Sequence, residues 1–491
     1  MKKLIMPAAI IAAGITAFVA CRKDNNEAPV ITPPETIKAQ SATPSLVYMM
    51  NGFTGVNIFP LISSEDVLEQ SPGFIYGAQP DGAGFMRNPN GEGYIMLNNH
   101  EINQSVSRVY LDKNLKPVKG DYIIDYTGGA KRLCSATLAT TEEHGFGPMF
   151  LTAQESGVES MIIGINPLAS AADKGRTDRT LPALGKASME NAVPLPKAAF
   201  PGKTVVFMGE DQSWETGHVS AGQLVMYVSN TVGDLQNGKL YAVKRKDNNQ
   251  VELDIVKGQS YDVEFVEIPN AKGLTGAQIN TTVNDLKAIR FSRVEDIDYR
   301  KGSAQNNREV YFTATGQSPD KINPQAGYTM WGRVYKIVLD SADPTKGKIE
   351  VIAEGDSNPG NDLINPDNLC VTENYVYIQE DGDSYYTAAK HDSYIWQYSI
   401  ANKTYKPFLN MDHKREDAAW VNRFYQNTER RLGCWEFGAM VDISNEIGVP
   451  NTFILNIHPH TWQKDKFVNP DGGGSTNKEG GQTVILTNVP R

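Results

Sequence analysis

The feature that most constrains the fold is a repeated strand pattern, in which a run of apolar and β-branched residues ends abruptly, typically in acidic or amide residues. The six runs are residues 94–101, 149–155, 205–211, 310–315, 376–381 and 453–458. Such runs, separated by Gly, Asn, Asp and Pro, are typical of β-strands. Because no amphipathic helix of more than about three turns accompanies them, the sequence predicts an all-β fold.

The spacing of these runs predicts how the strands are organised. Successive runs start between 55 and 105 residues apart, which admits one four-stranded blade per interval with insertions. We therefore expect a β-propeller of about six four-stranded blades. The innermost strand of each blade lines a central channel, so carboxylate-bearing strand ends would converge on one axial site. The alternative is a pair of sandwich domains, but sandwich strands have no reason to end repeatedly in carboxylates.

The first residues have the pattern of an export signal. Lys2 and Lys3 precede an apolar run over residues 4–20, and Cys21 follows a small residue. This pattern predicts a lipoprotein signal peptide over residues 1–20, with Cys21 as the lipidated first residue of the mature chain. The alternative is ordinary secretion with an incidental cysteine.

The rest of the chain divides into two parts. Residues 21–45 are rich in Asn, Pro, Thr and Glu, which predicts a flexible tether. Residues 46–491 form the folded domain, and no later stretch has the roughly 20 apolar residues that span a bilayer. We therefore expect a protein outside the cytoplasm, lipid-anchored to the outer membrane or the cell surface.

The charge balance excludes one class of partner. Asp and Glu number 57 against 47 Lys and Arg, which gives a net charge of −10. A nucleic-acid-binding domain would instead show a basic face. Clustered carboxylates suit cations such as Ca²⁺, which takes six to eight oxygen ligands.

The cysteines left after Cys21 are Cys134, Cys370 and Cys434. Three is an odd number in a compartment that permits disulfides, so at least one thiol is unpaired. For Cys370 and Cys434 we expect buried, small apolar residues. From the residues alone, Cys134 is equally compatible with a metal ligand and with a buried thiol.

Arg293 and Glu295 are two positions apart in an extended run. Their side chains would point to the same side within about 7 Å, so a cation and a metal ligand could face one substrate. The arginine fork can bind two phosphate oxygens. The alternative is a salt bridge from Arg293 to Glu295 or Asp296 that holds a loop. His100, His458 and His460 remain open as ligands, acid–base groups or structural hydrogen-bonding groups.

Several stretches, taken in order, resemble the PhoX family of alkaline phosphatases. They are Asn99-His100-Glu101, Cys134 followed by residues 150–155, Gly209-Glu210-Asp211, residues 291–295, Pro366-Asp367-Asn368-Leu369 with Glu380-Asp381-Gly382, and Asn456-Ile457-His458-Pro459. The resemblance extends from about residue 47 to residue 462. It implies a propeller with a bridged pair of ferric ions beside calcium ions at the channel mouth. The implied activity is hydrolysis of phosphomonoesters outside the cytoplasm.

The resemblance also implies roles for individual residues. Cys134, Glu210 and Glu295 match iron-ligand positions of the family, and Arg293 matches its phosphate-binding arginine. Asn99 is similar to a second substrate-binding position. Further metal-site carboxylates of the family fall at Glu155, Asp367, Glu380 and Asp381.

The chain departs from the family pattern at several positions. A Gly-Gly turn usually surrounds the cysteine, and a double glutamate follows it, whereas Cys134 precedes Ser135 and the later site reads Ala153-Gln154-Glu155. Val294 stands where proline is usual. The family commonly carries a twin-arginine signal, so this lipoprotein would acquire its metals after export.

The predicted protein is a metal-dependent phosphatase of small phosphate esters, using Fe³⁺ and Ca²⁺ and acting as a monomer. A third hypothesis keeps the same site but makes the protein a hydrolase of phosphodiesters or of another phosphorylated substrate. The competing hypothesis from another class is a calcium-stabilised propeller that binds a ligand or partner without catalysis.

Overall fold

The computed structural model describes residues 33–212, 222–318, 326–381, 388–427 and 429–491. The predicted signal peptide, Cys21 and residues 21–32 of the tether lie outside these ranges. No helix in the described ranges is long and apolar enough to cross a membrane.

Strands dominate the described chain, and its helices have at most ten residues. The first strands and helices are β1 (Val47–Met49), β2 (Asn57–Ser63), β3 (Pro80–Arg87), β4 (Tyr94–His100), β5 (Ser105–Leu111), β6 (Pro117–Ile124), α1 (Tyr126–Gly129), β7 (Leu133–Ala139), α2 (Thr141–His144), β8 (Met149–Gln154), β9 (Ile162–Ile165), β10 (Met189–Pro194), β11 (Thr204–Glu210), β12 (Leu224–Ser229) and β13 (Lys239–Arg245). There follow β14 (Ser260–Glu267), α3 (Gly276–Asp285), β15 (Val294–Tyr299), β16 (Glu309–Ala314), β17 (Arg333–Leu339), β18 (Lys346–Glu354), β19 (Pro366–Val371), β20 (Tyr375–Glu380), β21 (Tyr394–Ser399), β22 (Thr404–Met411), α4 (Ala418–Phe424), β23 (Glu436–Asp442), α5 (Ser444–Ile447), β24 (Phe453–His458) and β25 (Gln482–Thr487). The predicted all-β class is confirmed.

The described strands form antiparallel sheets arranged as a propeller-like ring. Four smaller sheets have the orders β3-β4-β5-β6, β7-β8-β9, β1-β22-β21-β20-β19 and β2-β25-β24-β23. A nine-stranded sheet has the order β10-β11-β12-β13-β14-β18-β17-β16-β15, and it nearly closes because its end strands β10 and β15 lie against each other. The N-terminal strands β1 and β2 complete the two sheets of the C-terminal part.

Six strands face the centre of the ring: β3, β7, β10, β15, β19 and β23. Each contacts the next, and β23 returns to β3. The apolar runs that the sequence pattern detected are β4, β8, β11, β16, β20 and β24. The sequence pattern led us to expect that these runs are the innermost strands of the ring. In the structure they are not. Each is the hydrogen-bonded neighbour of an inner strand.

Apolar side chains fill the interior of the nine-stranded sheet and the spaces between neighbouring sheets. Phe207, Phe291 and Phe312 are fully buried within the nine-stranded sheet. Trp435 and Trp462 are fully buried where the sheet of β1 packs against the sheet of β2. Burial of a large apolar side chain contributes roughly 1.5–3 kcal/mol, so these clusters hold the inner strands in fixed positions.

Two of the contacts between inner strands require glycine. A Cβ atom on Gly82 in β3 would lie 2.3 Å from the backbone nitrogen of Ala136 in β7. A Cβ atom on Gly438 in β23 would lie 2.5 Å from the carbonyl oxygen of Pro80 in β3. A side chain at either position would push the inner strands apart.

We therefore expect Gly82→Ala to destabilise the fold by about 1–3 kcal/mol, because the added methyl group overlaps backbone that cannot move freely. Gly73→Ala is the matched control, since a Cβ atom there has no neighbour within 4 Å, and it should change stability by no more than about 0.5 kcal/mol. The measurement is the free energy of unfolding from denaturant titration. Equal stability of the two variants would contradict the close packing of β3 on β7.

Candidate metal and active site

Every inner strand is irregular near its start, where a β-bulge interrupts its pairing with the second strand. The breaks lie between Pro80 and Ala83, Leu133 and Ala136, Met189 and Ala192, Val294 and Ile297, Pro366 and Leu369, and Phe437 and Met440. A bulge bends its strand and redirects a side chain. In the first five strands, the first residues inside the bulge are Asp81, Cys134, Glu190, Glu295 and Asp367, and all five line one cavity. We call them the bulge residues.

A second set of side chains reaches the cavity from the ends of the second strands. Because the second strands run antiparallel to the inner strands, they end where the inner strands begin. Glu101, Glu155, Asp211 and Asp381 directly follow β4, β8, β11 and β20, and all four line the cavity. The ring thus brings side chains that are far apart in sequence together in one cavity.

The cavity has a volume of about 130 Å³ and an acidic wall. Its described lining is Gln79, Asp81, Glu101, Arg132, Cys134, Glu155, Glu190, Asp211, Arg293, Glu295, Asp367, Asp381, Glu436 and His460. This set contains nine carboxyl groups against two arginines and one histidine. Buried carboxylates in such excess are strongly destabilising unless cations or protons neutralise them.

The pKa values of the lining carboxyl groups reflect this crowding. Burial and the neighbouring Asp211 raise the pKa of Glu155 to about 8. Burial and the nearby carboxylates also raise the pKa of Glu190 and of Asp367 well above the usual range of carboxyl groups. Without bound cations, the folded cavity therefore retains protons near neutral pH.

Two ligand groups in the cavity fit metal ions of different chemistry. Asp81, Glu101 and Cys134 have ligand atoms within 4.8 Å of one another, and so do Glu190, Glu295 and Asp367. The first group combines one thiol with carboxylates and suits a transition metal such as iron. The second group offers only oxygen and suits a hard cation such as Ca²⁺.

The thiol of Cys134 needs a cation to act as a ligand. Burial and the neighbouring Glu190 raise its pKa well above the ordinary value, so the group is protonated in the metal-free cavity. A coordinated metal ion deprotonates a thiol outright. The residues present therefore fit a metal at this position.

Arg293 lies in the cavity wall, between two carboxylates. Its Nε donates to Asp211 Oδ1 at 2.7 Å, and its Nη2 lies 2.7 Å from Glu295 Oε1. The predicted nearness of Arg293 and Glu295 is therefore observed, as an ion pair. Asp296 is engaged elsewhere, because it accepts the backbone N–H of Leu369 at 2.8 Å.

Asn99 has a different position from the one predicted. It is fully buried and is absent from the described cavity lining. Its Nδ2 donates to the backbone carbonyl of Cys134 and, at 2.7 Å, to Thr152 Oγ1. In this structure, the Asn99 amide therefore holds the bulge at Cys134, and its contact with substrate stays a prediction.

Glu210 and Glu380, the last residues of β11 and β20, are also absent from the described lining. Side chains alternate along a strand, so the residues that follow them, Asp211 and Asp381, face the cavity. Glu380 instead accepts the Trp396 Nε1–H and the backbone N–H of Ile364 and Tyr394, each at 2.7 Å. The structure thus brings Cys134, Glu155, Arg293, Glu295, Asp367 and Asp381 together, but not Asn99, Glu210 and Glu380.

Sequence reasoning missed several lining residues, in particular Asp81, Glu190, Glu436 and Arg132. One signal was available for the first two, because the inner strands repeat a short pattern in which an apolar residue or proline precedes the bulge residue. The copies are Pro-Asp-Gly-Ala, Leu-Cys-Ser-Ala, Met-Glu-Asn-Ala, Val-Glu-Asp-Ile and Pro-Asp-Asn-Leu, beginning at residues 80, 133, 189, 294 and 366.

Arg132 lies at the cavity mouth, and no local motif distinguished it. Its Nη1 lies 2.9 Å from Glu101 Oε1 and 3.7 Å from Glu155 Oε2, while its side chain is 48% exposed. It therefore offers the cavity a solvent-accessible positive charge.

Comparison with known proteins gives one family and one fold. The family model described as alkaline phosphatase PhoX matches residues 161–430. PhoX of Pseudomonas fluorescens, solved in complex with vanadate, a transition state analogue, is similar in fold with a TM-score of 0.58 and 13% identity, covering 93% of this chain and 97% of that chain. A search of curated proteins finds no match.

Two other solved structures are more distant. They are the PQQ-bound aldose sugar dehydrogenase of Streptomyces coelicolor, with a TM-score of 0.37, 11% identity and coverage of 88% and 98%, and an α-L-arabinofuranosidase of Fusarium graminearum with an iminosugar inhibitor, with a TM-score of 0.40, 12% identity and coverage of 86% and 98%. At these TM-scores they carry no argument about the site.

The raised pKa of Glu155 leads to a prediction about stability. Because its folded-state pKa of about 8 is above the ordinary glutamate value of 4.5, the folded protein binds an extra proton between these two pH values. Stability is then lost as the pH rises through that window. We expect the thermal midpoint of the metal-stripped protein to fall from pH 5 to about pH 9, and to fall less in Glu155→Gln.

The control for that experiment is Glu416→Gln, which changes an exposed carboxylate outside the cavity and should reproduce the wild-type profile. Calcium and ferric salts should restore the midpoint most strongly at the alkaline end. A thermal midpoint that stays constant over this pH range would contradict the protonated cavity.

Proposed function

The chain belongs to the alkaline phosphatase PhoX family, and we propose that it hydrolyses phosphomonoesters at the cavity lined by the bulge residues. Family membership makes the chain a phosphatase. The observation that supports this site is the convergence of nine carboxyl groups, one thiol and Arg293 on one cavity. We further propose that iron occupies the Asp81, Glu101 and Cys134 group and calcium the Glu190, Glu295 and Asp367 group.

The chemistry of the substrate explains why such a site needs multivalent cations. A phosphate monoester dianion reacts slowly because the attacking and leaving oxygens both carry negative charge. Bound cations would neutralise this charge and supply a hydroxide or oxide nucleophile at moderate pH. The carboxylates and Cys134 serve to hold those cations at fixed positions.

Arg293 contributes the directed hydrogen bonds. Its planar guanidinium can donate to two phosphate oxygens at once. In the structure these donors contact Asp211 and Glu295. Glu295 also belongs to the all-oxygen ligand group. Its engagement in metal binding would free Nη2 from its 2.7 Å contact with Glu295, while Asp211 continues to hold Nε.

The lining of the site bears on substrate choice. Its side chains are polar or charged, which suits a phosphoryl group and not a large apolar alcohol. The leaving group would therefore remain at the mouth, beside the half-exposed Arg132. We infer a phosphatase that contacts the phosphoryl group closely and makes few contacts with the rest of the ester.

The finer architecture is also a proposal. The nine-stranded sheet can be divided into β10–β14 and β15–β18, which are joined by pairing of their outer strands β14 and β18. Counted in this way, the ring has six blades, one for each inner strand. The insertion of β14 beside β18 accounts for the fusion of two blades into one sheet.

We also propose that the protein works in the cell envelope as a monomer, anchored by a lipid on Cys21. The support is the sequence of residues 1–21, with its two lysines, its apolar run and the cysteine after a small residue. The substrate would then be an extracytoplasmic phosphate ester.

The purified mature protein should hydrolyse a chromogenic phosphomonoester at alkaline pH, lose this activity in chelator and regain it with ferric and calcium salts. Arg293→Gln should lower kcat/KM by about 100-fold or more, because it removes contacts to the phosphoryl group. Arg176→Gln is the control, since this arginine is on the surface and pairs with the nearby Asp178.

The unfolding midpoint of each variant establishes that the fold is intact. Unchanged turnover in Arg293→Gln would contradict the proposed role of this arginine in binding phosphate. A metal-loaded protein without turnover on any phosphate ester would favour a binding module instead.

A further inference from the structure

We propose that Glu436, His458 and His460 form an additional metal centre, selective for a dication that prefers nitrogen ligands, such as Zn²⁺. We call these three residues the histidine centre. It is separate in chemistry from the thiol group and the all-oxygen group, and its existence does not depend on the phosphatase proposal.

The histidine centre is built at the junction of two paired strands. Glu436 is the first residue of β23, His458 is the last residue of β24, and the two are register partners. His460 follows two positions later, across Pro459. The three ligand atoms lie within 4.8 Å of one another, and the centre faces the cavity through Glu436 and His460.

The distances fit metal ligation as well as ion pairing. Glu436 Oε2 lies 3.3 Å from His458 Nδ1 and 3.2 Å from His460 Nε2. Charge-assisted N–H···O bonds are shorter, at about 2.7–2.9 Å. Ligand atoms around a tetrahedral zinc ion with bonds of about 2.0–2.1 Å are instead about 3.3 Å apart.

A second observation points to a ligand between these groups. His458 is fully buried, and its Nδ1 makes no hydrogen bond of normal geometry within the described part of the chain. A buried ring nitrogen directed at a carboxylate without such a bond is costly. A cation placed between Nδ1 and Glu436 Oε2 would satisfy both atoms.

The outer contacts of both imidazoles match those of metal-bound histidines. Such histidines usually donate their other ring N–H to a backbone carbonyl or a carboxylate, which fixes the tautomer. His458 Nε2 lies 2.9 Å from the carbonyl oxygen of Pro80. His460 Nδ1 lies 3.2 Å from Glu479 Oε2, and Glu479 is held by Gln79 Nε2 at 2.6 Å. His458 thus presents Nδ1, and His460 presents Nε2, to the same carboxylate oxygen, Glu436 Oε2.

The ligand set also sets the metal preference. Two imidazoles and one carboxylate suit Zn²⁺ better than Ca²⁺, which prefers oxygen ligands. Three protein ligands leave one tetrahedral position open, as in catalytic zinc sites. Because Glu436 and His460 line the cavity, an ion held there would lie beside the space assigned to substrate.

The competing explanation is an ion pair of imidazolium and carboxylate without metal. Although burial lowers it, the neighbouring Glu436 raises the pKa of His458 to about 9, as expected for the metal-free centre. The two explanations differ in whether zinc binds through imidazole nitrogen, which can be measured directly.

The test uses the full mature protein, stripped of metal and dialysed against limiting zinc in excess calcium, so that the all-oxygen group is occupied. Zinc bound per chain is measured for the wild type, for His460→Gln, for Glu479→Gln and for Cys134→Ser. We expect His460→Gln to bind zinc at least 100-fold more weakly and Glu479→Gln about 10-fold more weakly. Cys134→Ser separates zinc held by the thiol group from zinc held by the histidine centre. Glu416→Gln, which changes an exposed carboxylate outside the cavity, is the control and should bind as the wild type does.

If a variant fails to fold, X-ray absorption at the zinc edge of the wild type still tests the proposal. The expected spectrum contains outer-shell scattering from two imidazole rings per bound zinc. Zinc bound without imidazole scattering, or no tight zinc binding by the wild type, would overturn the proposal. Wild-type affinity in His460→Gln would overturn it as well. Phosphatase activity is measured separately, so a result that contradicts the zinc centre leaves the proposed phosphatase function standing, and the reverse also holds.

Discussion

Mutual repulsion among buried carboxylates is the constraint that governs the centre of this molecule. Nine carboxyl groups share a cavity of about 130 Å³ with two arginines. Burial and their neighbours raise the pKa of several of them, so the metal-free cavity is stabilised by retained protons. A chain that keeps this arrangement at neutral or alkaline pH needs multivalent cations, and this requirement links the fold to phosphate chemistry.

The ring places its candidate ligands with one structural feature that recurs in its inner strands. Each inner strand has a bulge near its start, and the first residue of the bulge is redirected into the cavity. In five of the six strands that residue is a carboxylate or Cys134, and in β23 it is Gly438, where the backbone of β3 approaches closely. Ligands on packed strands are held more precisely than ligands on loops.

How far the sequence predicted this arrangement depends on which strand a residue occupies. The second strands of the sheets, such as β4, β11 and β24, are continuous apolar runs because they are buried on both faces, and they were easily recognised. Inner strands such as β3 and β19 contain proline, glycine or asparagine around their bulges, so they have weak strand signals. Asp81 and Glu190 were missed for this reason.

A one-residue ambiguity accounts for other differences at the site. Glu210 and Asp211 are adjacent, and alternation of side chains places only one of them in the cavity. The family pattern favoured Glu210, whereas the register of β11 favours Asp211. Asn99 illustrates another limit, because a motif gives residue identities but not whether a side chain faces substrate or backbone. The position of Arg132 at the cavity could not be predicted from the sequence, because it depends entirely on tertiary contacts.

The most direct test of the central claim is anomalous diffraction from crystals of the native protein, recorded on both sides of the iron edge. The account predicts an edge-dependent peak among Asp81, Glu101 and Cys134, and a calcium-sized peak among Glu190, Glu295 and Asp367. A well-ordered cavity without either peak, whose carboxyl groups are protonated and hydrogen-bonded to water, would contradict it.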